Sequence, residues 1–201
     1  MSIFEISQER RAVLDRVAIQ GATHASSTLS RLFQREVKIY SDGFESVPID
    51  EACDLGLPSD QELLAVHNRI QGEVEGNVLL AFPVETAFEL VEVLMGGLGA
   101  EPAELGDMEC SALMETGNIT ASAFIGSLGT ALGCSLLPGV PTLLHDVGGA
   151  ILAPMLIEQL LASNQALMSQ ARFEFDERAI DWWLHVMPTP ESLPVMEELL
   201  Q

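Results

Sequence analysis

The feature that most constrains the fold of this chain is an internal repeat. When the numbering is shifted by 99, the segment Arg10–Phe33 lies over a later segment, and the apolar positions coincide. The coincident pairs are Leu14 with Leu113, Leu29 with Leu128, and Phe33 with Leu132. Self-similarity at a fixed distance is typical of duplicated structural units. We therefore expect one domain over 1–201, built from two repeats at about 1–97 and 107–201.

The later copy of this segment is predicted to be a long helix from about Asp107 to Gly133. Asp107 suits an N-cap, and Gly133 suits a C-cap. At about 100° per residue, one apolar stripe is expected to face the core. Its members are Leu113, Gly117, Ala121, Phe124, Leu128 and Leu132. Polar and small residues form a second stripe roughly a third of a turn away, and they are Ser111, Glu115, Asn118, Ser122, Gly126 and Gly129.

The second stripe carries side chains that could bind a partner and orient a water molecule. Ser111, Glu115 and Asn118 stand at positions i, i+4 and i+7, so a hydroxyl, a carboxylate and a carboxamide share one helix face. Pro141 follows Asn118 after a further 22 residues. The first copy has other residues at these places, namely Ala12, Arg16, Ile19 and Asp42. One site is therefore expected to be intact and the other lost.

The remaining segments mix helices and strands, with neither a strict βαβ alternation nor a P-loop. Helices are predicted at about 7–34, 83–95, 107–133, 144–161 and 190–200. Strands are predicted at about 37–40, 63–71, 77–82, 134–137, 166–175 and 180–186, with a junction between the repeats at 98–106. The predicted fold class is α+β, with two pseudo-symmetric repeats of long helices and antiparallel or mixed strands forming one sheet-and-helix layer domain.

Composition narrows the partners and the compartment. A formal charge of −21, with Lys38 as the single lysine, argues against nucleic acid or an anionic membrane as a partner. Neither the three cysteines nor the four histidines have metal-ligand spacing, so no metal or other cofactor of the chain's own is expected. The N-terminus lacks an apolar signal region, and the apolar run 147–157 is too short to span a bilayer. A cytoplasmic location is expected.

The pattern Ser/Asp-x3-Glu-x2-Asn-x22-Pro on a duplicated unit resembles the CheC/CheX/FliY phosphatases of bacterial and archaeal chemotaxis. The resemblance covers nearly the whole chain. Leu14–Ile39 is similar to the family's first repeat with a degenerate motif, and Asp146–Leu152 is similar to the glycine-rich helix start that follows the second. Length and missing modules favour CheC, because FliY members carry an additional C-terminal flagellar-switch domain and CheX members are shorter.

The resemblance implies a hydrolase that removes phosphate from an aspartyl phosphate on a CheY-type response regulator, in two-component chemotaxis signalling. Glu115 would pair with the active-site lysine of the receiver, which would supply its own Mg²⁺ and phospho-aspartate. A carboxamide can accept a hydrogen bond from a water while its NH₂ donates elsewhere, so Asn118 is assigned to orient the attacking water. Ser111 is expected to be a supporting hydroxyl. By resemblance, Pro141 is expected to help hold the motif helix in place.

Two function classes stay open at this point. Ser111 is not favoured as a nucleophile, because no G-x-S-x-G turn surrounds it and no histidine is near it in sequence. The alternative to a phosphatase is a non-catalytic CheC-like binding module that regulates a receiver or a CheD-type deamidase. The loss of the first motif keeps this alternative open, whereas the intact second motif favours the enzyme.

Overall fold

A computed structural model describes residues 8–94, 105–161 and 164–200, apart from the side chains of 8–10 and 53–55. The helices are α1 (Gln8–Phe33), α2 (Ile49–Gly56), α3 (Val84–Leu94), α4 (Asp107–Leu132), α5 (Gly148–Leu160) and α6 (Ser192–Leu199). The strands are β1 (Val37–Pro48), β2 (Glu62–Gly72), β3 (Gly76–Pro83), β4 (Leu136–Pro138), β5 (Thr142–Val147), β6 (Gln165–Phe175) and β7 (Arg178–Pro188).

The strands form one antiparallel sheet. Their order is β1-β6-β7-β3-β2-β4, and β5 also pairs with β2. Each half of the chain has the same succession of a long helix, an edge strand, a second helix, a hairpin and a further helix, although the second edge strand is split into β4 and β5. The last residue of α4, Leu132, is that of α1, Phe33, plus 99. The predicted α+β class is confirmed.

Helices cover both faces of the sheet. Apolar side chains of α1, α3, α4 and α6 share one buried cluster with one face of the strands. Those of α2 and α5 share a second cluster with the other face. Strand β2 shows the alternation that this layering requires, because Leu64 and Val66 belong to the first cluster and Leu63 and Ala65 to the second. Side chains of β2 at even positions therefore face α4.

Helix α4 carries the predicted motif and has almost the predicted bounds. The whole apolar stripe from Leu113 to Leu132 is buried, as predicted. Gly133 has φ 67°, a left-handed C-cap as predicted, and the next N–H donates to the Gly129 carbonyl at 3.0 Å. The predicted N-cap is wrong. Gly106 occupies that position with extended backbone, and Asp107 is the first helical residue.

The second half also departs from prediction at the start of α5. The predicted helix from Leu144 is wrong there, because residues 142–147 form strand β5 against β2 and the helix begins at Gly148. The first N–H groups of α5, those of Gly148 and Gly149, donate to the carbonyls of Gln61 and Ser59 at 3.0 and 3.2 Å.

In the first half, the sequence pattern missed helix α2 and ended β1 at Tyr40, whereas the strand runs to Pro48. Both hairpins, α3 and α6 lie where the sequence predicted them. The predicted start of the first helix at Ser7 and most of the predicted junction, residues 98–104, lie outside the described residues.

Candidate functional site

Gly117 allows the motif helix to lie close to strand β2. A methyl group at Gly117 would overlap the side chain of Val66 on β2, so only glycine allows this approach. The repeat places Ala18 at the equivalent position of α1. Close packing at Gly117 brings the next residue of the helix, Asn118, against the neighbouring inward-facing position of β2.

The three helical motif residues differ in how far they are free to bind a partner. Glu115 is exposed, and its carboxylate makes no hydrogen bond or ion pair with any described residue. Asn118 is half-buried. Ser111 is exposed, but its hydroxyl donates to the Asp107 carbonyl at 2.7 Å within the helix. Because the Ser111 hydroxyl already donates its proton within the helix, it can only accept a hydrogen bond from a partner.

Pro141 lies in a break of the edge strand beside this helix. Pro138 of β4 pairs with Ile70, and pairing resumes where Thr142 of β5 meets His67. Residues 139–141 thus stand opposite only two residues of β2. Proline has no N–H to donate, so Pro141 cannot contribute a backbone donor to a ladder with β2. Val140, at the middle of the break, has 89% of its surface exposed.

Asn68 connects the break to the helix, and sequence reasoning missed it. Its side chain is 1% exposed, and its Nδ2 donates to Oδ1 of Asn118 at 3.3 Å and to the carbonyl of Gly139 at 3.1 Å. A signal was present. Asn68 follows Leu64 and Val66 in the inward-facing alternation of β2, and a polar residue in such a row is informative.

The orientation of the Asn118 amide differs from the one first expected. Its Oδ1 already accepts from Asn68, whereas its Nδ2 makes no hydrogen bond to a described residue and is not among the buried unpaired atoms. The exposed group is therefore the NH₂, while Oδ1 keeps one lone pair for a water. Together, Glu115, Asn118 and the 139–141 break form what we call the motif surface.

The four histidines do not converge on the motif surface. They contact residues on separate elements: His24 with Ser127, His67 with Asn77, His145 with Glu62, and His185 with the Gly56 carbonyl. Burial lowers the pKa of His185 to about 4, against the opposing effect of its hydrogen bond to Gly56. In the described part of the chain, no group of three or more His, Cys, Asp or Glu side chains is arranged to hold a metal ion.

None of the described helices combines the length and the apolar character needed to cross a bilayer.

The chain is similar to known proteins in sequence and in overall fold. No family model matches the chain. The sequence is 28% identical over 171 residues to the CheY-P phosphatase CheC of Bacillus subtilis. The aligned residues cover 84% of this chain and 82% of that protein. The fold is similar to that of FliY from Thermotoga maritima, with TM-score 0.72, 15% identity and 98% coverage of each chain. It is also similar to a chain in the CheX–CheY–BeF3–Mg²⁺ complex of Borrelia burgdorferi, with TM-score 0.54, 16% identity, and coverage of 88% of this chain and 97% of that chain.

Proposed function

We propose that this chain, a CheC-like member of the CheC/CheX/FliY family, hydrolyses the aspartyl phosphate of a CheY-type response regulator in chemotaxis or motility signalling in the cytoplasm. One observation carries the proposal. Glu115 and Asn118 lie one helical turn apart with an unpaired carboxylate and an outward NH₂, beside the edge-strand break that contains Pro141. The relative from Bacillus subtilis named a CheY-P phosphatase supports it.

Asn118 orients the attacking water in this proposal. Hydrolysis of an acyl phosphate requires in-line placement of water more than covalent chemistry by the enzyme. The Asn118 NH₂ can donate to the water oxygen or to a phosphoryl oxygen, and the remaining Oδ1 lone pair can accept a water proton. Because a carboxamide is neutral, it fixes the direction of the water without acting as a strong base.

Glu115 binds the receiver in this proposal. Its unpaired carboxylate can form an ion pair with the active-site lysine that the family resemblance assigns to the receiver. The receiver also supplies Mg²⁺ and the phospho-aspartate. A solved structure of similar fold contains CheX with CheY, BeF3 and Mg²⁺, which supports this division of parts between the two proteins. The complete active site then forms only in the complex.

A second candidate function is a non-catalytic module that binds a receiver or a CheD-type deamidase. The observation that favours it is the first half, where Arg16 and Ile19 are exposed in place of a glutamate and an asparagine. A helix face of the same scaffold can therefore persist without the catalytic pair. Turnover of phosphorylated receiver separates the two functions.

The test measures phosphate loss from a phosphorylated CheY-type receiver, with and without the protein. We expect acceleration beyond the receiver's own rate, and we expect Asn118→Ala to lower that acceleration roughly 10²-fold while receiver affinity stays unchanged. Thr130→Ala, at an exposed position farther along α4, is the matched control and should keep full activity. Near wild-type turnover in Asn118→Ala would show that another group orients the water. Binding without acceleration would favour the non-catalytic module.

A further inference from the structure

Asn68 is a buried polar residue on a strand whose inward face is otherwise apolar near it. Its side chain is 1% exposed, and its neighbours on the same face, Val66 and Ile70, belong to the main core cluster. Its Oδ1 is buried and has no hydrogen-bond partner in the described part of the chain. An apolar residue of similar size would avoid this unsatisfied oxygen, so packing alone does not explain an asparagine here.

The hydrogen bonds of Asn68 determine which way the Asn118 amide faces. The Gly139 carbonyl can only accept, so the atom of Asn68 that lies 3.1 Å from it must be the NH₂ group. The same NH₂ lies 3.3 Å from Asn118, which must therefore present its oxygen. The chain of contacts from Gly139 through Asn68 to Asn118 leaves the Asn118 NH₂ as the outward group.

We infer that Asn68 is a positioning residue that holds the Asn118 carboxamide in one orientation and couples it to the edge-strand break. This inference rests on the proposed function, in which Asn118 orients the water. Asn68 touches neither water nor receiver in this role, because it is covered by the helix and the strand. It fixes the rotation of the Asn118 amide before the receiver arrives.

The corresponding surroundings of α1, formed by β1 and β6, support this coupling. Pairing with the edge strands places Ile70 opposite Pro138 and Phe173 opposite Ile39, so Ala171 is the position that corresponds to Asn68. Ala171 has no donor, and Ile19 stands where Asn118 would be. The sheet amide and the helix amide are therefore both present beside α4 and both missing beside α1, although Asn68 belongs to the first repeat and Ala171 to the second.

The kinetic experiment measures single-turnover dephosphorylation and receiver affinity in Asn68→Ala and Asn68→Leu. Leucine fills the space of asparagine but cannot donate, so it separates positioning from packing. We expect both variants to lower the rate constant roughly 10-fold with unchanged receiver affinity, because a misoriented water slows the chemical step alone. Asn77→Ala, which removes another buried asparagine on the adjacent strand, should keep the rate. Full activity in Asn68→Leu overturns the inference.

A double-mutant cycle tests the path of the effect. If Asn68 acts through Asn118, Asn68→Leu should cause no further loss in the Asn118→Ala background. An undiminished 10-fold loss in that background overturns the inference, because Asn68 would then act by another route.

A readout that does not depend on activity separates this inference from the proposed function. The side-chain ¹⁵NH₂ signal of Asn118, assigned by its loss in Asn118→Ala, should show a lower order parameter in Asn68→Leu than in the wild type. If this loosening occurs in a protein without phosphatase activity, the positioning stands and only the proposed function fails. If the order parameter is unchanged, the inference is wrong even where the phosphatase is active.

Discussion

The two halves of the chain use one scaffold, but their long helices meet the edge strand differently. In the first half, β1 continues through an irregularity between Ser41 and Phe44, and Asp15 of α1 accepts from the Phe44 N–H at 3.0 Å. In the second half, the edge strand breaks at 139–141, and the tie to the helix runs through Asn68. The first arrangement ties the strand directly to a helix carboxylate, whereas the second turns a helix amide outward.

This difference indicates that the site depends on more than the helix motif. Around α4, Gly117 brings the helix close to β2, Asn68 of β2 lies beneath the helix, and the edge-strand break lies beside it. Around α1, Ala18 of the helix and Ala171 of β6 stand at the corresponding positions. The surroundings of α1 lack several of these parts at once, so we expect that restoring a single residue there would not create activity. Four tests probe the comparison.

The largest expected effect comes from placing on α4 the positive charge that α1 carries at the equivalent position. Glu115→Lys introduces a cation where Arg16 stands in the first half, so it should repel the receiver lysine. We expect kcat/KM for dephosphorylation to fall roughly 10²- to 10³-fold, and we expect Glu115→Gln to be milder. Receiver affinity, measured by titration, should fall in parallel.

Glu109→Lys is the matched control for that change. It alters the charge of α4 equally but lies outside the second stripe, so kcat/KM should stay near the wild-type value. If Glu115→Lys also leaves the receiver affinity and the dephosphorylation rate unchanged, the proposal of an ion pair between Glu115 and the receiver is wrong.

The second test concerns the centre of the sheet, where His185 pairs with Leu79 of the other half. Its pKa is lowered from 6.5 to about 4 by burial, so the unfolded chain binds a proton more readily than the folded chain. The free energy of unfolding therefore keeps the full contribution of His185 above pH 6.5. This contribution is lost as the pH falls towards 4, by at most about 3 kcal/mol. Denaturant unfolding across this range should show the loss.

His185→Leu makes this position match Leu79. The variant should have a flatter dependence of stability on pH between 6.5 and 4, whatever its stability at neutral pH. A dependence equal to that of the wild type would assign the acid sensitivity to other groups.

The third test gives the second half the alanine that the first half has. Gly117→Ala forces the helix and Val66 apart, so we expect a loss of about 1–3 kcal/mol in unfolding free energy. The displacement of Asn118 from Asn68 should also lower the dephosphorylation rate. Gly126→Ala on the same helix meets no atom within 4 Å and should be neutral or slightly stabilising. Adding Val66→Ala should recover part of the loss, and a failure to do so would argue against the overlap as its cause.

The smallest expected effect is in the first half itself. Arg16→Ala and Ile19→Ala should leave the dephosphorylation rate within about 2-fold of the wild type, because both are exposed and neither offers the carboxylate or the amide that the proposed mechanism uses. Titration with a receiver held in its phosphorylated-like state should saturate at one receiver per chain. Two receivers per chain, or residual Asn118→Ala activity that disappears on changing Ile19, would show that α1 still carries a working site.

The sequence predicted the fold better than it predicted the site. The helical periodicity of apolar residues located α1 and α4, and apolar runs bounded by turn residues located both hairpins. The short elements at the sheet edge were harder to predict from the sequence. The apolar run around Leu144, for example, fits either a helix or a strand until its pairing with β2 is known. The extent of a single domain over 1–201 and the roles of Glu115 and Asn118 stay predictions.

The orientation of the Asn118 amide could not be read from the sequence. It depends on Asn68, which is distant along the chain and meets Asn118 only through the packing of α4 on β2. The spacing of the motif predicts which residues share a face of one helix. The residue that holds the Asn118 amide, Asn68, lies on a strand and is not part of that spacing. An inward-facing asparagine on β2 was the available sign, but its partner required the structure.

The break at 139–141 also affects how the protein behaves towards copies of itself. An open sheet edge offers unpaired backbone groups to any passing strand, and long uninterrupted edges promote aggregation. Here β4 and β5 are short and are separated by a proline, so this edge is a poor template for a foreign strand. The same few residues that border the motif surface thereby protect that side of the sheet from edge-to-edge association, and a substitution chosen to repair the strand would create an aggregation hazard.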